Sequence, residues 1–130
     1  MLQLDVGIGI DLVEVSRIKD LNIGPTGITS YLEDVFDGEV PQDPFELAKW
    51  IAINEAVFKS LKPKAQRNYR GVDLRYVDSG RIIIFPRRRK FTHLTFTKFQ
   101  LTITHTTDVV IAVVISKISF LNILHISSNR

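Results

Sequence analysis

The sequence predicts an α+β domain in which a compact antiparallel sheet packs with one long helix and one or more short ones. Three observations carry that reading. Apolar residues alternate with glycines and acids near the N-terminus; one strongly punctuated helical run occupies the middle; and period-two segments separated by turn residues fill the stretch from Gly71 to Ser116. A strand, then helices, then several strands is the order of an α+β chain with antiparallel pairing. With 130 residues, the chain reads as a single domain spanning 1–130.

In the first segment Leu4, Val6, Ile8 and Ile10 alternate with Asp5, Gly7, Gly9 and Asp11, the period of a strand, with glycines where backbone or ligand can come close. Gly7 and Gly9 lack the third glycine and the following helix of a dinucleotide loop. The long helix is predicted to start at Asp43, a side chain that caps, with Pro44 in the first helical position and Glu46 three residues after the cap. The periodic run FELAKWIAINEAVFKSL follows, and Pro63 marks its end. A shorter helix is expected around Thr29 to Phe36. Beyond Gly71, Val72, Leu74 and Tyr76 alternate with Asp73 and Arg75, and Asp78-Ser79-Gly80 supplies turn chemistry before RIIIF, which Pro86 ends. QLTITH and VVIAVVIS, separated by Thr106, Thr107 and Asp108, form a second hairpin whose second strand is expected to be buried on both faces.

Composition narrows the function classes. Apolar residues make up 45% and charged residues 24% of the chain, enough for a core and against wholesale disorder. Without cysteine there is no disulfide framework, thiolate zinc site or cysteine nucleophile. MLQLDVGIGID has no basic leader and carries Asp5 and Asp11, against a signal peptide. The apolar run from Val109 to Ile115 falls short of the roughly 20 residues of a membrane helix. The expectation is a soluble, cytoplasmic protein with no membrane partner. Charge is divided unevenly: residues 1–46 hold ten acids against Arg17 and Lys19, a net −8, and the remainder holds fifteen Lys or Arg against Glu55, Asp73, Asp78 and Asp108, a net +11. Such asymmetry suggests either an anionic partner for the basic half or the two halves packing together.

Two acids have otherwise apolar surroundings, Asp11 at the end of the first strand and Glu55 in the middle of the long helix. Magnesium is commonly held by one or two carboxylates plus water and substrate phosphates. Lys59 lies one turn after Glu55 on the same face, where an ammonium could meet phosphate oxygens. Ala48, Ala52 and Ala56 leave room beside Glu55 for a ligand or a closely packed strand. Spacing alone equally describes a solvated Glu–Lys helix pair and a turn or cap aspartate. Arg87, Arg88, Arg89 and Lys90 form a dense basic run in an expected loop, suited to solvent, an anionic protein, a phosphorylated small molecule or nucleic acid. Nucleic acid is the weaker reading, since Phe91, Phe96 and Phe99 serve equally as core or strand residues. His93 and His125 are isolated, and Trp50 reads as core or interface.

Several segments, in order, resemble one family. GIGIDLVEVSRI (7–18) is similar to the opening signature of the holo-acyl-carrier-protein synthases, members of the 4'-phosphopantetheinyl transferase superfamily. YLEDVFDGE (31–39) resembles their next motif, and LAKWIAINEAVFKSL (47–61) their helix bearing a Lys-Glu-Ala signature with a lysine four residues after the glutamate. GVDLRYVDSGRIII and LTITHTTDVVIAVVIS fall where the family has two closing hairpins. The resemblance covers the chain to Ser116.

It implies an enzyme that moves the 4'-phosphopantetheine arm of coenzyme A onto a serine of an apo acyl-carrier protein in fatty-acid or related lipid metabolism, releasing adenosine 3',5'-bisphosphate. On the matched positions, Asp11 and Glu55 would be Mg2+ ligands together with diphosphate oxygens of coenzyme A. Lys59 would contact those phosphates, His105 would lie beside coenzyme A, and Arg17 is the main matched base for carrier-protein docking. The resemblance also implies a homotrimer with sites between subunits. Phosphoryl transfer of this kind needs in-line positioning and neutralised oxygens more than covalent help. The serine proton could leave through a metal-activated water or a nearby carboxylate.

The chain also departs from the pattern. Asn54 stands where the family usually has lysine, Lys49 and Trp50 replace a Gly-Arg pair, and Asp34 stands where an arginine is usual. LysProLysAla at 62–65 replaces a glycine-rich turn, with Lys49, Lys62 and Lys64 as neighbouring cations that could compensate. A carrier-protein-binding or scaffold protein with weakened catalysis is therefore an alternative to the enzyme, and a basic nucleic-acid-binding domain is a further one.

Overall fold

The punctuation at Asp43, Pro44 and Pro63 has a physical counterpart, while the turn expected at Asp78-Ser79-Gly80 lies outside the described residues. The computed structural model describes residues 4–21, 31–33, 40–67, 69–76, 82–86 and 97–119. Strand β1 (Leu4–Glu14) runs directly into helix α1 (Val15–Leu21); helices α2 (Pro44–Ser60) and α3 (Pro63–Arg67) follow, then strands β2 (Val72–Tyr76), β3 (Ile82–Pro86), β4 (Thr97–His105) and β5 (Val109–Ser119). Strands β1, β5 and β4 form one antiparallel sheet in that order, with β5 central, and β2 and β3 form an antiparallel ribbon. This is the expected α+β architecture.

Helix α2 begins as its sequence demands. The Asp43 carboxylate accepts a hydrogen bond from the Glu46 amide at 3.0 Å, and Pro44 occupies the first turn, where its missing N–H removes nothing. Pro63 does more than end α2. It opens α3, which is tied back by the Gln66 side chain donating to the Phe58 carbonyl at 3.0 Å. Leu47, Ala48, Ala52, Ile53, Ala56 and Val57 are fully buried along one side of α2, the amphipathic stripe that binds it to the sheet.

Strand β1 turns its glycines, expected where backbone or ligand comes close, toward the long helix. Ile8, Ile10 and Leu12 are 55–62% exposed, while Gly7 and Gly9 lie against α2. A Cβ on Gly9 would overlap the carbonyl oxygen of Ala56, and one on Gly7 that of Ser60. The helix therefore rests on bare backbone, and the alanines beside Glu55 make room for a strand. Ser116 of β5 clamps the same contact, donating its hydroxyl to the Ser60 carbonyl at 2.8 Å.

Strand β5 was expected to be buried on both faces, and the structure corrects this. Val110, Ala112, Val114 and Ser116 are buried under α2, whereas Ile111, Val113 and Ile115 are only partly covered, because they stand on the side of the sheet away from α2, beside exposed Ile8, Ile10 and Leu12.

Helix α1 was not foreseen. It is fixed by the Val15 amide donating to the Asp108 carbonyl at 2.8 Å in the β4–β5 turn, and by burial of Val15 and Ile18. Thr106 shapes that turn by accepting from the amides of Asp108 and Val109. Residues 31–33 are helical, within the short helix expected around Thr29 to Phe36; the rest of that helix, Asp34, the basic run Arg87–Lys90, His93, Phe91, Phe96, His125 and the tail after Ser119 lie outside the described residues. Among the described residues no helix is long and apolar enough to cross a membrane.

Candidate functional site

The approach of α2 to β1 decides what the site contains. Asp11 stands on the same face of β1 as Gly7 and Gly9, and among the described residues β1 is an edge strand. With no Cβ between strand and helix at Gly9, the last turns of α2 come close enough for Lys59 to reach over. Its ammonium donates to Asp11 Oδ1 at 2.8 Å and to the Ile10 carbonyl at 3.3 Å. Glu55 precedes Lys59 by one turn, so both face the strand end that carries Asp11.

Electrostatics tie the three together. The Glu55 carboxyl is pushed above its ordinary value of 4.5, first by partial desolvation and then by the negative charge of Asp11, with Lys59 opposing. Residue 55 as a whole is exposed; the desolvation acts at its carboxyl end. Lys59 is held above its ordinary 10.5, chiefly by its hydrogen bond to Asp11, against a desolvation that acts the other way. The lysine side chain is 50% exposed and that of Asp11 16% exposed, so the pair is screened on the lysine side and sheltered on the aspartate side.

The donor set suits a hard divalent cation. Two carboxylates repel one another, and a cation, here the Lys59 ammonium, already sits on one of them. Among the described residues no cluster of three or more acids or histidines forms a metal cage. A metal held by Asp11 and Glu55 would complete its shell with water or phosphate oxygens, the habit of Mg2+.

His105 is placed elsewhere. Ile103 and Asp11 face Ala112 from its two sides, two strand spacings or about 10 Å apart, and His105 lies two residues further along β4. Its ring packs edge-on against Phe45 in the first turn of α2, with centroids 5.0 Å apart and planes at 74°. The Lys49 ammonium lies 5.9 Å from the same Phe45 ring and 3.2 Å from Glu46. A single subunit thus gathers Asp11, Glu55 and Lys59 beside the C-terminal half of α2 and His105, Phe45 and Lys49 beside its N-terminal half. Arg17 is exposed on α1.

Sequence reasoning missed Phe45, because a phenylalanine in the first turn of an amphipathic helix reads as core. It also left Asn54 as a bare departure, and the structure gives it a role. Asn54 is 1% exposed. Its amide nitrogen donates to the Trp50 carbonyl at 2.9 Å, and its oxygen accepts from the Tyr69 hydroxyl at 2.6 Å and the Val72 amide at 3.0 Å. The side chain pins the segment after α3, and the start of β2, to the helix that bears Glu55. Trp50 is buried in the core, one of the two readings open for it. Lys62 is exposed immediately after α2, and the Lys64 side chain lies outside what is described.

No protein-family model and no curated protein matches the chain in sequence. Solved structures match it in fold. An ACPS–CoA complex from Chronobacterium ammoniagenes superposes with a TM-score of 0.59 at 13% identity, covering 88% of this chain and 98% of that one. A holo-(acyl-carrier-protein) synthase from Bacillus anthracis in complex with CoA (3',5'-ADP) gives 0.56 at 22% identity, over 88% and 98% of the two chains. The holo-[acyl-carrier-protein] synthase from Neisseria meningitidis gives 0.54 at 20%, over 85% and 96%. Likeness over this share of both chains at so little identity is a likeness of architecture: the chain has the fold of the holo-acyl-carrier-protein synthases.

Proposed function

We propose that this protein transfers the 4'-phosphopantetheine group of coenzyme A to a serine of an apo acyl-carrier protein, releasing adenosine 3',5'-bisphosphate, with Mg2+ held by Asp11 and Glu55. The observation that carries the reading is the convergence of Asp11, Glu55 and Lys59 on the edge of β1, within a fold shared with structures described as CoA complexes.

When bound, the metal would neutralise diphosphate oxygens and so lower the barrier to attack at phosphorus. Asp11 and Glu55 hold the two negative charges that place it. Lys59, flexible and half exposed, donates to phosphate oxygens from the last turn of α2. The serine oxygen, its proton passing to a nearby carboxylate or water, bonds to the pantetheine-side phosphorus as the bridging P–O bond breaks, and adenosine 3',5'-bisphosphate leaves with the bond pair. His105, backed by Phe45 and with Lys49 nearby, contacts coenzyme A at the other end of α2.

The separation of His105 from Asp11 within one chain supports a site completed by a second copy. Ile8, Ile10 and Leu12, exposed beside Val113 and Ile115, offer the apolar sheet face for that assembly, since contiguous exposed apolar residues mark interaction surfaces. A homotrimer is the reading adopted. Arg17 on α1 would meet the acidic carrier protein through opposite charge.

The test is incubation of the protein with coenzyme A, Mg2+ and a panel of apo carrier proteins, read by intact mass. Conversion of at least one carrier, lost with Asp11→Asn and Glu55→Gln, is the expected result. Carrier binding without coenzyme A affinity or transfer would favour the second reading, a scaffold of the same fold, for which replacement of the usual lysine by Asn54 is the specific observation.

A further inference from the structure

The Lys59 ammonium is bonded to one of the two carboxylates a divalent cation would need. It sits 2.8 Å from Asp11 Oδ1, and its charge also acts on Glu55. A metal ligated by Asp11 and an ammonium bonded to the same carboxylate would repel one another strongly at that separation. Lys59 is free to move, since its side chain is half exposed on a four-carbon stem with three rotatable donors in the last turn of α2. The Asp11 side is the fixed partner: it is sheltered on a strand whose register with β5 is set by eleven paired residues.

We propose that Lys59 is an exchangeable counter-ion, bound to Asp11 in the metal-free protein and released to the diphosphate of the incoming substrate when a divalent cation enters between Asp11 and Glu55. This rests on the metal site of the proposed function and adds a coupling to it. Metal binding frees a phosphate-binding cation, and phosphate binding withdraws a competitor from the metal site, so each strengthens the other by the same factor. A lysine that only touched phosphate would leave the affinity for metal alone unchanged.

The experiment is a calorimetric titration of the full chain with Mn2+ alone, and with Mn2+ in the presence of saturating coenzyme A. Lys59→Met is expected to bind Mn2+ alone about tenfold more tightly than the wild type, within the usual range of coupling between sites. The gain in Mn2+ affinity on adding coenzyme A should shrink in Lys59→Met, and Lys59→Arg, which keeps the charge, should stay near wild type. A circular-dichroism melt confirms that each variant is folded. Unchanged or weaker Mn2+ binding by folded Lys59→Met would overturn the exchange while leaving the metal site intact, provided Asp11→Asn abolishes binding. Absence of Mn2+ binding by the wild type would overturn the metal site and the exchange together.

Discussion

Gly9 of β1 meets the carbonyl of Ala56 with no space for a side chain. That contact sets the height at which α2 rides over the sheet, and with it the reach of Lys59 to Asp11 at 2.8 Å. Gly9→Ala forces helix and strand apart at a point where both partners are backbone. A loss of about 3 kcal/mol or more is expected, at the upper end of overpacking effects, measurable by urea unfolding. Metal and coenzyme A binding should fall in whatever fraction remains folded.

Asn54 answers three hydrogen-bonding needs inside the core. Asn54→Ala leaves the Val72 amide and the Tyr69 hydroxyl without their acceptor, and is expected to cost about 2 to 4 kcal/mol in chemical denaturation. Asn54→Lys removes the acceptor and buries an ammonium. It should be more damaging than Asn54→Ala, showing that Asn54 belongs to this chain's packing.

Glu55 binds its proton more tightly in the folded chain than in the unfolded one, because burial and Asp11 raise its pKa above 4.5. Between that value and the raised folded one the native state carries more protons, so stability falls as pH rises through this window, and the deficit persists above it. Glu55→Gln is expected to raise the melting temperature of the metal-free protein by a few degrees at pH 7. It should flatten the pH dependence just above pH 4.5. The same variant should lose Mg2+-dependent stabilisation, so gain without metal and loss with it are read in one pair of melting curves.

The exposed strip of Ile8, Ile10 and Leu12, 62%, 58% and 55% open, is expected to be covered in solution by other copies of the chain. Light scattering coupled to size exclusion should give the mass of a trimer. Ile10→Asp places a charge opposite Val113 and should shift the population to monomer while the far-ultraviolet spectrum stays unchanged.

Local chemistry made much of the fold legible. Asp43, Pro44 and Glu46 announced α2, and the alternation around Leu74, the apolar runs RIIIF and VVIAVVIS, and QLTITH, with turn residues between them, announced the strands and their antiparallel pairing. What local pattern cannot express is which side of a strand meets the rest of the chain. In β1 the alternation marked a strand and the glycines marked a close approach, but only the fold shows that the glycine side admits a helix backbone and leaves Ile8, Ile10 and Leu12 exposed. Helix α1 escaped notice because its seven residues are held by Asp108, more than ninety positions away. The pairing of Glu55 with Lys59 followed from helical spacing, whereas the arrival of Asp11 at the same point depended on the β1–α2 contact. The partnership of Phe45 with His105 joins elements distant in sequence and leaves no local signature.

The most direct measurement of the central claim is transfer itself. Wild-type protein, Asp11→Asn and Glu55→Gln are each incubated with coenzyme A, Mg2+ and apo carrier proteins, and the carriers are weighed by mass spectrometry. The account predicts that wild type adds one phosphopantetheine group to at least one carrier, that chelation of Mg2+ stops it, and that both variants lose at least a hundredfold in rate. Transfer by Asp11→Asn and Glu55→Gln at wild-type rates would contradict it.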